Sequence, residues 1–575
     1  KTVIPYSGIH PDHHAFWINP LDPNLIIDGN DGGIGISRDR GRNWNFNERI
    51  PVGQFYHINV DNKIPYNVMG GLQDNGCWHG PAYIWRYGGG IRNYYWENIG
   101  GGDGFDTSPD PDDNDWVYSM SQEGELQKQN IVTGEGMGIQ PPAPNLKTVL
   151  RFNWNAAFAQ DPFNSKTIYF GSQFVHKSNN KGLTWEIISP DLTTDNKAQQ
   201  DQSKNGGLSV DITGAENYNT ILCIEPSAID KNIIWVGTDD GNVQLSRDAG
   251  KTWTNFRGKI PGMPLGSWIP QIRASRYNAG EAFIVCNDYR RSDFKPYIFR
   301  TRNYGQTWER MIDENKVKGY ALCMIQDPVE PNLIFVGTEH GLWISFDNGA
   351  NFQQWKNDYP SVSTYDMAIQ EREADLVVAT FGRAIYIFDD IRALRKAAAN
   401  VGNVFTKKLT LFQAPAAYMA NYRPETGYDW SKWGLFEGDN RGGGASYSYF
   451  VKPGDKTADS KKHKGDTATV KIYNNTNELI RTLKFKVDTG FARRSWGFEM
   501  KGIRRPGSPK PKPNSPEPGG DAVFPGTYKL VMILGADTDS TMIVVNADPN
   551  VPADKQVYDA MLLIAYRAMD KFVLT

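Results

Sequence analysis

Short apolar runs separated by polar turns recur through residues 1–390, in units of about 50 residues, a spacing typical of repeat architectures. Residues 221–241, ILCIEPSAIDKNIIWVGTDDG, align without a gap to 321–341, ALCMIQDPVEPNLIFVGTEHG. The same template occurs at 15–33, 157–171 and 105–124, more loosely at 55–76, stretched at 270–305, and last at 364–388. Each unit reads as strand, D-P-x-x-P-N turn, strand, acidic Gly turn, strand, S-x-D-x-G-x-T-W turn, strand. Four short strands per repeat predict a blade of a β-propeller, so the fold class is all-β. Eight copies are visible. Seven blades, with the first copy belonging to a domain upstream, is one reading, and eight blades is the other.

The S-x-D-x-G-x-T-W pattern is an Asp box, a tight hairpin in which Ser and Asp bond nearby backbone, Gly supplies a positive φ and Trp covers the turn. Ser37-Asp39-Gly41-Trp44 and Ser246-Asp248-Gly250-Trp253 are complete. Ser178-Asn180-Gly182-Trp185 and Thr301-Asn303-Gly305-Trp308 replace Asp by Asn, and Ser345-Asp347-Gly349-Phe352 replaces Trp by Phe. These exchanges keep the turn-forming acceptor and the apolar plug, so the box is expected to be scaffold.

The repeat stops at Asp389-Asp390. Residues 391–403 read as a helical linker. Alternating strands from Val404 (YSYFV, TATVKIYN, RTLKFKV, PGTYKLVMI, STMIVV) predict an immunoglobulin-like β-sandwich over 404–548. The stretch 508–520, SPKPKPNSPEPGG, reads as a solvated Pro-rich loop, and 549–575 as a helical tail with an amphipathic pattern. The chain starts inside a repeat at Lys1, so the expected organisation is a propeller over 1–390 in which 1–52 complete a missing upstream propeller.

Composition narrows the partners. With 62 basic and 65 acidic residues the net charge is −3, which argues against a nucleic-acid binder. No apolar run is long enough for a membrane span. Four scattered cysteines (Cys77, Cys223, Cys286, Cys323) suit buried strand positions better than a disulfide framework or a zinc site.

Several stretches taken together, HPDHHAFWINPLDPNLIIDGNDGG, QFYHINVDNKIPYNVMGGLQDNG, GGGDGFD, LRFNWNAAF and ATFGRAIYIFDDIRAL, resemble the large bacterial sortilin-like, BNR-repeat proteins described as glycosyl-hydrolase-like and frequent in Bacteroidetes. The resemblance implies an exported or cell-surface protein with two tandem propellers, of which this chain holds the second plus the C-terminal sandwich. It implies no particular chemistry, because Asp boxes are shared by sialidases, xyloglucanases and non-enzymatic receptors.

In a propeller the second-to-third-strand turns face the same end as the connections between blades. That places Asp31, Asp74, Gln122, Gln173, Asp239, Asp240, Glu339 and Arg383 around one mouth, joined by Asp103 and Asp106 of GGGDGFD and by Arg151, Asn153 and Asn155 of RFNWN. Such a ring suits a polar ligand. Asp74 and Asp103 are the best catalytic pair if the site hydrolyses a glycoside, where one carboxyl protonates the leaving oxygen and the other attacks or activates water. Against this stands the preference of turns for Asp-Gly and Asn-Gly. Trp78, Trp85 and Trp96 of the insertion 78–96 offer stacking faces for sugar rings, or a satellite core under a long loop.

A sialidase would need a converging arginine triad. Arg151, Arg290 and Arg383 are available without a diagnostic spacing, and Arg49-Ile50-Pro51 follows an Asp box instead of preceding a first blade. His10-Pro11-Asp12-His13-His14 is the densest imidazole–carboxylate cluster, but adjacent His13 and His14 point to opposite faces of an extended segment, so no metal and no cofactor are expected. The function expected is binding of a glycan, peptide or protein partner at the mouth. The alternatives are a glycoside hydrolase of the two-propeller type and a structural subunit of an outer-membrane surface assembly. Asp466-Thr467-Ala468 and Asp539-Ser540-Thr541 match short O-glycosylation tripeptides and add slightly to the case for export.

Overall fold

The computed structural model describes residues 9–47, 49–87, 89–201, 217–399, 404–424, 436–453, 467–502, 516–552 and scattered positions between 554 and 567. Asp466, the linker residues 400–403 and most of the 508–520 stretch lie outside the described residues.

Seven antiparallel sheets, each with its strands in chain order, succeed one another between residues 55 and 388. Their innermost strands are Phe55–Val60, Thr107–Pro109, Phe158–Gln160, Ile221–Pro226, Trp268–Ala274, Ala321–Gln326 and Thr364–Gln370, and the sheets are numbered here blades 1 to 7. Blades 1 to 6 have four strands and blade 7 has three.

Alternation along each strand explains why these sheets stack in a ring. Successive side chains point to opposite faces, so a strand apolar on both faces packs against a neighbour on each side. In blade 4, Trp235 faces Ile272 and Ile284 of blade 5, while Ile234 and Val236 face Tyr169 and Val175 of blade 3. In blade 5, Ile284 faces back and Phe283 faces forward to Met324 and Val336 of blade 6. Blade 6 meets blade 7 through Phe335 and Val378, blades 2 and 3 share Tyr118 and Phe170, and blades 1 and 2 share Met69 and Val117. The ring closes where Val377 and Ala379 of blade 7 pack on Ile58 and Val68 of blade 1, with a bridge between Gln54 and Phe381. Among the described residues no strand is shared across this seam.

The first repeat copy, strands His13–Ile18, Ile26–Asn30, Gly33–Ser37 and Asn45–Phe46, forms its own sheet outside the ring. Its first strand, which would be innermost in a blade, leaves Phe16 54% and Trp17 48% exposed. The propeller proper therefore has seven blades.

The S-x-D-x-G turns tie backbone to side chain. In blade 4 the Gly250 N–H donates to Ser246 Oγ (2.8 Å), Ser246 Oγ donates to Asp248 Oδ1 (2.9 Å), and the Thr252 N–H donates to the same oxygen (2.8 Å). In blade 3 Asn180 takes the place of Asp248 and accepts from the Thr184 N–H at 2.9 Å. Gly250 has φ +96° and a Cβ there would meet Ile188 of blade 3 at 2.8 Å, so both conformation and crowding demand glycine. Trp253 Nε1 donates to Ile188 O (3.2 Å), which staples this turn to the preceding blade.

Beyond the helix Arg392–Ala399, a three-stranded and a five-stranded sheet face each other over one core that includes Tyr447, Tyr449, Trp496, Val470, Leu530 and Ile543. This is the two-sheet sandwich that the alternation predicts. Its strand Glu437–Gly438 pairs with Ile91–Arg92 of the blade 1 insertion. The described positions between 554 and 567 are helical. All four cysteines are unpaired; three are buried and Cys223 is half-buried. Among the described residues no helix is long and apolar enough to cross a membrane.

Candidate binding site

The acidic turns expected to face a ligand are mostly hydrogen-bonded into the ring. Asp239, fully buried, accepts from the Thr220 N–H (2.9 Å) and from Asn153 Nδ2 (3.2 Å). Asp240 accepts from the Thr194 N–H (2.7 Å), Asn219 Nδ2 (2.9 Å) and Thr238 Oγ1 (2.6 Å). Gln173 accepts from the Arg151 N–H (2.9 Å) and donates to Val149 O (3.0 Å), and Arg151 pairs with Asp191 (2.8 Å). Gln122 accepts from the Asp103 N–H (2.9 Å). Asp239, Asp240, Asn153, Gln173 and Arg151 thus have partners within the ring, where polar groups in turns meet backbone N–H groups and neighbouring side chains.

The proposed catalytic pair is also locked. Asp103 is buried and its Oδ1 accepts from the N–H of Asp74 itself (2.6 Å). Close packing builds this loop: a Cβ on Gly71 would lie 2.2 Å from the Gly104 carbonyl carbon. Asp74 sits at φ +60°, and burial together with the charges of Asp103 and Asp31 pushes its carboxyl up to about 6. The two residues come from adjacent segments, Asp74 from the second-to-third-strand turn of blade 1 and Asp103 from the connection to blade 2.

Glu339 is half-buried and Arg383 exposed on the rim. Of the other arginines weighed for a sialidase, Arg290 lies with its guanidinium 3.4 Å from the Trp268 ring centroid. Trp78 donates through Nε1 to Asn75 O (2.6 Å), Trp96 packs on Gly80, and Trp85 lies 5.9 Å from Tyr418 of the sandwich. Trp85 thus meets the sandwich, whereas the contacts of Trp78 and Trp96 are within blade 1.

The remaining two predicted residues, Asp106 and Asn155, point elsewhere, into the central channel. The innermost strands enclose about 430 Å³ there, a size that suits a small polar ligand. Blades 1, 4, 5 and 7 bring charge into it, joined by Asp106 just ahead of blade 2. His57 of blade 1 stands 3.2 Å from Asp366 of blade 7 through Nδ1 and 3.1 Å from Asn155 through Nε2. Arg273 of blade 5 lies 3.7 Å from Asp366 and 3.9 Å from Glu225 of blade 4. Gln271 Nε2 donates to Asp366 (3.3 Å), and Asn59 Nδ2 donates to Asp106 (3.1 Å).

The electrostatics result from burial and partners. Burial alone would push the His57 imidazole down, but Asp366 and Asp106 outweigh it and raise its pKa. Burial would raise Asp366, yet His57 and Arg273 hold it below the usual carboxylate range. Asp106, buried with only partial compensation from His57, is pushed up to about 6. Burial also raises Glu225 against the opposing charge of Arg273. Arg273 Nε is buried without a hydrogen-bond partner among the described residues.

Backbone bulges help to aim these groups. The register shifts between Phe55 and His57, between Trp268 and Gln271, and between Thr364 and Asp366, where each inner strand begins. A bulge reverses the inward–outward parity of the next residues along the strand and turns a polar side chain inward. At that end an aromatic layer caps the channel, with Tyr56 4.8 Å from Phe105, 5.6 Å from Tyr365 and 5.4 Å from Phe381.

Fold and channel together define a seven-bladed β-propeller joined to a β-sandwich. No family model and no curated protein matches the chain. Among solved structures it is similar to the extracellular domain of the hybrid two component system BT3049 from B. thetaiotaomicron, at 11% identity and a TM-score of 0.37, over 93% of this chain and 68% of that one. It is also similar to YCF48 from Cyanidioschyzon merolae, at 12% identity and a TM-score of 0.33, over 65% of this chain and 94% of that one. The propeller assignment rests on the chain's own sheets and their succession.

Proposed function

We propose that this chain is a non-catalytic ligand-binding propeller, exported or held at the cell surface, that takes a polar ligand in its central channel. The ligand class is a glycan or a segment of a protein partner, both of which offer hydroxyl, amide or carboxylate groups to a mixed-charge pocket. The observation that carries the reading is the convergence of Glu225, Arg273, Asp366, His57 and Asp106 from separate blades, with Arg273 Nε lacking a partner among the described residues. Buried polar groups without partners cost stability, and a ligand that supplies the partner recovers that cost. The rim turns, by contrast, already have their hydrogen bonds.

The exposed first strand of the outlying sheet, with Phe16 and Trp17, supports a second element of the reading, in which that sheet is a blade of a further propeller covering it.

The test is a binding screen of the full chain against neutral and acidic oligosaccharides and short peptides, beside Arg273→Met. The expected result is saturable binding without turnover, weakened at least tenfold in Arg273→Met. Hydrolysis of any glycoside, or binding indifferent to Arg273→Met, overturns the proposal.

A further inference from the structure

His10, Asp12 and His14 are spaced two apart, so in an extended segment they share one side while His13 takes the other. Regular strand begins only at His13 and its register shifts between His13 and Ala15, and the histidine side chains part there. His13 Nδ1 lies 2.8 Å from the buried Asp28, whereas His14 Nε2 lies 2.7 Å from Asp31 Oδ1. His10 turns toward the ring, and its Nε2 lies 3.1 Å from the backbone carbonyl of Asp74. A carbonyl only accepts, so Nε2 carries the proton and the Nδ1 lone pair is left facing Asp12. The Asp12 backbone N–H makes a long contact to it at 3.4 Å that an ion would displace. The Asp12 carboxylate lies 3.6 Å from the same Nδ1. The ligand atoms of His10, Asp12 and Asp31 all lie within 4.8 Å of one another.

From this arrangement we infer that His10 Nδ1, Asp12 and Asp31 form a binding site for a divalent transition-metal ion, with Zn²⁺ or Mn²⁺ as the fitting class. One imidazole and two carboxylates are a donor set that both ions accept, and three protein ligands leave a position open to water or a partner's group. The second shell is in place. The Asp74 carbonyl fixes the tautomer of His10, and His14 sits on the Asp31 carboxylate that it would orient. Charge points the same way, since among the described residues the ion pairs of Asp12 and Asp31 are with histidines alone. The site spans two units of the molecule. Asn75 Nδ2 also donates to Asp31 O (3.0 Å), so an ion here would fasten the outlying sheet to the second-to-third-strand turn of blade 1.

The experiment is calorimetric titration of the untagged full chain with ZnCl₂ and, separately, MnCl₂, on wild type, His10→Ala, Asp12→Asn, Asp31→Asn and the distant surface variant His340→Ala. One ion per chain is expected for at least one metal, with affinity reduced tenfold or more in the first three variants and unchanged in His340→Ala. Asp12 is mostly exposed, so Asp12→Asn keeps the fold even if His10→Ala loosens the sheet, and circular dichroism verifies this. Absence of saturable binding to both ions overturns the inference. So does binding that survives His10→Ala in folded protein.

Discussion

His57 on the first blade and Asp366 on the last meet at 3.2 Å across the seam of the ring, and each shifts the other's titration. The signs are opposite. The imidazole's pKa is raised by folding, so its contribution is fully present below the ordinary histidine range and is lost as pH rises through the raised value. The carboxyl's is lowered, so its contribution is present above the ordinary aspartate range and is lost as pH falls through the depressed value. The pair therefore stabilises the seam most between roughly pH 4 and 6.5.

Asp366→Asn is expected to cost about 2 kcal/mol near pH 5.5, the scale of a hydrogen bond to a charged group. At alkaline pH, once the raised His57 value has been passed, the cost should shrink. Urea melts of wild type and variant at both pH values decide it, and an equal cost at both would mean that His57 stays neutral.

The turn at Ser246 allows a sharper contrast. Ser246→Ala removes the acceptor of the Gly250 N–H inside a buried turn and should cost about 1–3 kcal/mol. Asp248→Asn should cost well under about 1 kcal/mol, because a neutral amide can repeat the same bonds to backbone and hydroxyl. Blade 3 already does so, with Asn180 bonded to the Thr184 N–H and Oγ1. Denaturant midpoints of the two variants measure the difference, and a larger loss for Asp248→Asn would contradict this account of the turn.

Arg441 of the sandwich reaches Asp375, Asp389 and Glu373 of blade 7 while lying 4.2 Å over the Tyr83 ring of blade 1. Arg441→Met should cost about 3–5 kcal/mol by leaving largely buried carboxylates unpaired. Limited proteolysis should then release the sandwich from the ring earlier than in wild type, and unchanged digestion would argue against the role.

The propeller is legible in the sequence because each blade is local. Its strands and turns fall within one repeat, blades 3 to 6 add their box punctuation there, and the two-faced apolar strands announce neighbours on both sides. Asp239 and Asp240 are recognisable as turn residues, but their partners Thr220, Thr194 and Asn153 lie one connection away, and no spacing rule marks that pairing. The channel is hidden for two reasons. Its members lie far apart in the chain, as His57 and Asp366 do, and the bulges that aim them change parity within strands that otherwise alternate. A visible trace remains in charged residues inside apolar inner strands, Glu225 in ILCIEP and Arg273 in IPQIRA. The His10 cluster stands out in the sequence, but the adjacency of His13 and His14 obscures the two-residue spacing of His10, Asp12 and His14.

The closure by side-chain packing and a few hydrogen bonds has a mechanical consequence. A ring without a shared strand is a bracelet, and here the sandwich is its clasp, gripping blade 1 through Glu437–Gly438 on Ile91–Arg92 and blade 7 through Arg441. Tension applied through the C-terminal part of the chain thus falls first on the join between the two ends of the bracelet. Under load the molecule would spring open at that one line before any blade unravels.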